Sequence, residues 1–232
     1  QHFSLAAVSE GFLRSRQLVT TGIRDGISEA LRAAAKVQND SNPVVRAWAS
    51  YNLCDAYAMS DKARSALSLC EKAQDAYREL GDTWGLAQAE NDQGINFANL
   101  DQAENAIELY QRSRQHFASI GMDQLVVMVG DNMARMYLKT GRVREALALS
   151  QTSLAQELAT GRVSDALVSR ANIATDYAAL GQPALALSTI SIAVTDARAA
   201  GMDGLLPDLL ARRSQMNERA GHSAQALVDA RE

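Results

Sequence analysis

The sequence predicts an all-α solenoid of antiparallel helix pairs, about six repeats long, and three observations carry that prediction. The first is composition: of 232 residues, 41 are alanine, three are proline and 5% are aromatic. Alanine is the best intrinsic helix former and proline the worst, whereas a sandwich or barrel would draw on Val, Thr and aromatic residues. The second is a repeat. Ala66-Leu67, Ala106-Ile107, Ala146-Leu147, Ala186-Leu187 and Ala226-Leu227 recur at one constant step of forty positions. The aromatic residues Tyr57, Phe97, Tyr137 and Tyr177 keep that step, and so do the small residues Cys54, Gly94, Ala134, Ala174 and Ser214. The third is punctuation: Gly81, Gly121, Gly161 and Gly201 keep it as well, as glycines that end helices do. Self-similarity at a fixed period is the mark of a repeat architecture.

Taken as a single solenoid over 1–232, the chain opens with a degenerate first repeat (1–42), where Gly26-Ile27 stands at the Ala-Leu column and Gln17 at the aromatic one. Four full repeats follow (43–81, 82–121, 122–161 and 162–201), then a shortened last one (202–232). Each full repeat reads as two helices. In 82–121 the first runs from Trp84 to Asn99, Leu100-Asp101 turns, and the second runs from Gln102 to Ile120 before Gly121 stops it. The corresponding turns inside the other repeats fall at Asp61, Gly141, Gly181 and Gly221. Asp82, Asp123 and Asp203 come just after the repeat-ending glycines, where N-caps belong. Pro43 and Pro183 sit at helix starts, where a missing N–H does no harm. Within the second helix, Ala106, Ile107, Tyr110, Ser113 and Phe117 follow helical spacing and mark one buried face. The last helix, opening at Ala226-Leu227, is cut short at Glu232; this and the non-methionine start at Gln1 read as a segment of a longer protein.

Several function classes are disfavoured. A net charge of −4 and a pI near 5.5 lack the basic stripe of a nucleic-acid binder. No apolar run is long enough to span a membrane. His2, His116 and His222 lie far apart, and no CxxC, HExxH, GxSxG or phosphate-cradling glycine loop occurs, so no catalytic residue, metal site or cofactor is expected. The acidic residues read as scattered over helix surfaces. Cys54 and Cys70 occupy interior positions on the two helices of one repeat and read as reduced core residues, with a redox bridge as the alternative.

The order of small residue, aromatic, turn residue and alanine resembles the tetratricopeptide repeat (TPR) family. Cys54, Tyr57, Asp61, Ala66 and Ala73 carry it, as do Gly94, Phe97, Asp101, Ala106 and Ser113; Ala134, Tyr137, Gly141, Ala146 and Ser153; and Ala174, Tyr177, Gly181, Ala186 and Ala193. The resemblance covers about residues 43–232. The period is longer than the usual one, and the proline common near the end of the second helix is absent. Such longer repeats are similar to those of bacterial signalling proteins. The resemblance implies a right-handed superhelix whose first helices line a concave groove for a protein or peptide. It implies a sensor or interaction module regulating an attached output domain, a GGDEF diguanylate cyclase before a histidine kinase. The regulatory domain of a peptide-responsive transcription factor and a stand-alone scaffold are the rivals. A homodimer fits the leucine-rich outer faces or the uncapped C-terminal layer, and both a periplasmic and a cytoplasmic location fit.

The same resemblance picks out candidate binding residues. Two positions before the small column stand Asn52, Asp92, Asn132, Asn172 and Arg212. In peptide-binding relatives an asparagine here contacts the peptide backbone, a role implied for Asn52, Asn132 and Asn172; Asp92 could only accept and Arg212 only donate. The competing reading is that these amides tether neighbouring helices, since buried polar groups need partners. Arg135 and Lys139, four apart on one helix, point the same way and make with Asn132 a candidate seat for a carboxylate or phosphate, against the alternative of a solvated charged face. Further groove positions are Trp48, Tyr51, Asp55, Met59, Gln88, Asn91, Ile95, Asn99, Met128, Asp131 and Thr175. Trp48 and Tyr51 suit aromatic anchors or a cover for the first repeat.

Overall fold

A computed structural model describes residues 39–58 and 63–231, with isolated positions 32, 35 and 36 before them. The expected degenerate first repeat, the turn at Asp61 and the groove position Met59 therefore lie outside the described residues, apart from a few positions near residue 40. The described chain contains ten α-helices and no strand. They are α1 (Pro43–Ala58), α2 (Ala63–Leu80), α3 (Thr83–Asn99), α4 (Ala103–Ser119), α5 (Asp123–Lys139), α6 (Val143–Ala159), α7 (Val163–Ala179), α8 (Pro183–Ala199), α9 (Leu206–Arg219) and α10 (Ser223–Asp229), with a 3-10 turn at Asp203–Leu205 before α9. The helices α3 to α8 are all 17 residues long. Short connections of one kind join them, which is how the period holds without slippage.

Those connections explain both helix ends. At the end of α4, Gly121 N–H donates to Ala118 O (3.1 Å) and Met122 N–H to Phe117 O (3.0 Å), the paired bonds that satisfy the last carbonyls when the C′ residue turns left-handed. Gly121 has φ +72°, a conformation that costs glycine little. Asp101 takes the same left-handed position at φ 61°, doing with a side chain what Gly141 and Gly181 do without one. The residue after each turn then starts the next helix, and here one expectation is corrected. Asp82 is an N-cap, its carboxylate accepting from Gly85 N–H at 2.9 Å. Asp123 is instead the first residue of α5, and Asp203 opens the 3-10 turn with Met202 at the cap. Because the residue directly after the glycine both closes one helix and caps the next, an Asp one place later lies inside the helix, where it still favours the positive end of the dipole.

The chain divides into two compact units, residues 1–129 and 130–232, with the boundary inside α5. In the first, α1 packs on α2, α2 on α3, α3 on α4, and α1 on α3; in the second, α6 packs on α7, α7 on α8, α8 on α9, α9 on α10, and α7 on α9. Packing thus runs between sequence neighbours and between first helices of adjacent pairs. In the second unit Leu167, Ala171, Ala174, Ile190, Val194, Leu209 and Leu210 belong to one continuous core. At the small column the helices of a pair pack closely. A Cβ built on Gly94 would lie 2.6 Å from Tyr110 Cε1. One repeat earlier the same two places hold Cys54 and Cys70, whose Cα atoms are 5.0 Å apart and whose sulfurs are bonded. The reading of reduced core cysteines is corrected accordingly: the approach that demands a small residue brings the two side chains within bonding reach.

Candidate partner-binding faces

In the first unit the candidate residues are part of the helix packing. Asn52 is buried and its Nδ2 donates to Trp48 O, one turn back, at 2.7 Å. Asp92 is buried too, accepting from Asn91 Nδ2 at 3.1 Å and from the Tyr51 hydroxyl. Burial first, then the Asp92 and Asp55 carboxylates, hold the Tyr51 hydroxyl protonated well above its ordinary range. The Tyr51 and Tyr77 rings meet edge to face with centroids 6.3 Å apart, so Tyr51 joins α1 to both α2 and α3. Trp84, on the first turn of α3, is a large aromatic left exposed.

In the second unit the candidates lie closer to solvent. Asn132 Oδ1 accepts from Arg135 Nη2 at 2.6 Å, and Lys139 follows one turn on, exposed like Arg135. On α7, Asn172 Oδ1 accepts from Arg212 Nη1 of α9 at 3.2 Å, while Arg212 Nε donates to Asp208 at 2.8 Å. Asn172 and Arg212 thus tether adjacent first helices at the spacing of one repeat, as the competing reading of the asparagine column expects. The structure brings Asn132 to Arg135 and Asn172 to Arg212. In each pair the amide oxygen accepts from a guanidinium. Asp131 turns away from this face: the Ser153 hydroxyl donates to its Oδ1 at 3.1 Å, and burial raises its carboxyl above the usual range.

The buried acids are what the sequence reading missed. Glu90 is 2% exposed, accepting from His116 Nδ1 at 2.8 Å and lying 3.3 Å from Arg112 Nε. Asp229 accepts two bonds from Arg213, at 3.0 and 2.6 Å, and one from Asn217 Nδ2 at 3.1 Å. Asp176 faces the Ser150 hydroxyl, yet burial dominates and pushes its carboxyl up to about 6. Glu157 is likewise raised by burial, which outweighs the lowering effect of the nearby Ser169 hydroxyl. The period contains a signal that could have found some of these. Glu90–His116 recurs two repeats later as Arg170–Asp196, the same two places with acid and base exchanged. No group of three or more His, Cys, Asp or Glu side chains arranged to hold a metal occurs among the described residues, and no described helix is long and apolar enough to cross a membrane.

No family model matches the chain, and no curated protein matches it. Solved structures do. Nearly identical TPR-like repeats from Podosopora anserina, described as of a kinesin light chain, share 19% identity over 87% of this chain and 99% of that one, with a TM-score of 0.72. A signal transduction ATPase with numerous domains from Pyrococcus horikoshii, carrying a tetratricopeptide repeat sensor, aligns at a TM-score of 0.78 and 14% identity. That match covers 89% of this chain but 32% of the other. The apo form of the quorum sensor NprR from B. thuringiensis aligns at 0.72 and 14% identity over 96% of this chain and 62% of that one, and NprR has also been solved with its cognate peptide NprX. With the helix pairs and their constant period, these likenesses establish a tetratricopeptide-type repeat fold.

Proposed function

We propose that this chain is a peptide- or protein-binding regulatory module, and that the first-helix face of its second unit reads carbonyl and carboxylate oxygens of an extended partner. The observation that supports it most is the pair Asn132–Arg135 and Asn172–Arg212: two amides one repeat apart, each with its oxygen held by a guanidinium. Donor groups repeated at the spacing of adjacent first helices suit a ligand that repeats acceptors, as a peptide does. Arg135 and Lys139 add charge suited to an acidic side chain or chain end. NprR, whose fold is similar, has been solved with a peptide bound, which favours a peptide ligand. Asn52 and Asp92 serve in this reading as supports that position α1 and α3, with Tyr51 between them.

The likeness to the TPR sensor of a multidomain signalling ATPase, of which this chain spans about a third, favours a role inside a longer signalling protein. The output domain we favour is a GGDEF diguanylate cyclase, with a histidine kinase next; sequencing the reading frame beyond both ends decides between them and a DNA-binding domain. The binding reading is tested with fluorescent heptapeptide libraries, acidic and neutral, with free or amidated C-termini. Asn132→Ala combined with Asn172→Ala should weaken binding at least tenfold, and Arg135→Ala should selectively weaken the acidic library and flatten its salt dependence. Unchanged affinity in both variants removes this face from consideration.

A further inference from the structure

We propose that Cys54 and Cys70 form a permanent structural cross-link, acquired by thiol–disulfide exchange in an oxidising compartment, that fixes α1 onto α2. This goes beyond the binding reading and does not depend on it. The chain has two cysteines in 232 residues, and both fall on a single close contact of one helix pair, with Cα atoms 5.0 Å apart. Equivalent places in later repeats hold Gly94 with Tyr110, Ala134 with Ser150, and Ala174 with Ile190. Elsewhere, then, ordinary packing fills this contact; here alone a covalent bond does. Beside it, among the described residues, the buried hydrophobic side chains of α2 are Ala66, Ala73 and Tyr77, with Leu69 partly buried against the bond, where α4 supplies Ala106, Ile107, Leu109, Tyr110 and Phe117. A cross-link has more to contribute where little apolar surface is available to bury.

Both cysteines are fully buried, and Asn96 Nδ2 of α3 donates to Cys70 Sγ at 3.6 Å. Exchange therefore requires the pair to open, which makes the bond a staple rather than a sensor. Its formation balances with a disulfide of the compartment as oxidant. One cysteine thiolate attacks that disulfide and displaces the first thiolate; the second cysteine attacks the mixed disulfide and displaces the other, and the two protons lost by the cysteines end on the two released thiols. Cys54 lies between Asn52 and Asp55 on α1, so the staple also fixes the helix that carries Trp48 and Tyr51.

The test has two parts. Full-length protein from its own cells is acid-quenched, unfolded and alkylated with iodoacetamide. Peptide mapping should find Cys54 and Cys70 both unalkylated before reduction and both alkylated after it. Amide exchange is then followed on oxidised protein, on reduced protein, and on Cys54→Ala/Cys70→Ser, which reproduces the Ala134–Ser150 contact the chain already tolerates. Closing a loop of this size leads us to expect protection in α1 and α2 to fall roughly a hundredfold in both unlinked forms, with α7 and α8 unaffected and the variant indifferent to reductant. Alkylation of Cys54 and Cys70 in the quenched native protein, or equal protection with and without the bond, overturns the proposal.

Discussion

Asp176 occupies a place that Asn96 fills two repeats earlier, and the difference between amide and acid has a measurable cost. Asn96 is fully buried and donates to Asp92 O at 2.8 Å. Asp176 is 1% exposed and facing Ser150, with its carboxyl raised from 3.8 to about 6. Below about pH 4 the group is protonated in folded and unfolded chains alike and has no effect. Between there and pH 6 the folded chain holds the proton more tightly, so stability falls as pH rises, by about 2–3 kcal/mol in all. Asp176→Asn should remove that loss, leaving the variant more stable than the parent at pH 7–8 and close to it at pH 4. Urea midpoints across this range check it, and the difference between the two proteins cancels the contributions of Asp131 and Glu157, which burial shifts the same way. A parent as stable as the variant at pH 8 would mean that the site is wetter than it looks.

At the scale of helices, a good deal was legible in the sequence. The period predicted the helices, their turns and their tight contacts, because each depends on residues a fixed number of places along one chain. The offset of Asp123 and Asp203 from their caps was not legible, since it depends on which single residue serves both helices. Nor were the ion pairs: Glu90 and His116 lie 26 residues apart on antiparallel helices, a spacing that no single-helix pattern displays. The disulfide was half legible; the shared repeat of Cys54 and Cys70 could be read, their shared level on the helix pair was not. Gly94 tests the tight contact. Changing it to alanine removes a helix-weakening glycine, worth about 1 kcal/mol, but drives a methyl into the buried Tyr110 ring at 2.6 Å. Overpacking of that kind costs about 1–3 kcal/mol, so Gly94→Ala should lower the urea midpoint. A raised midpoint would show that the ring yields and propensity wins.

At the scale of the molecule, the packing of neighbour on neighbour within each unit means that damage should stay where it is made. A solenoid's stability is close to a sum of local terms and nearest-neighbour interfaces, so one interface can open without its more distant neighbours. The α9–α10 pair is the place to show this, because a polar network holds it rather than bulk. Arg213 spans to the buried Asp229 with two bonds, Asn217 adds a third, and Ser214 Oγ donates to Ala226 O at 2.9 Å. Arg213→Ala leaves Asp229 buried with its counter-ion gone, a loss of about 3 kcal/mol or more. Amide exchange in α10 and the facing part of α9 should then quicken by about two orders of magnitude, while α6 and α7 keep their rates. Replacing both partners, Arg213→Met with Asp229→Leu, should recover most of the protection, since an apolar pair of similar size avoids burying charge at all. If the single variant instead speeds exchange equally from α6 through α10, that unit unfolds as one body and its repeats are not independent.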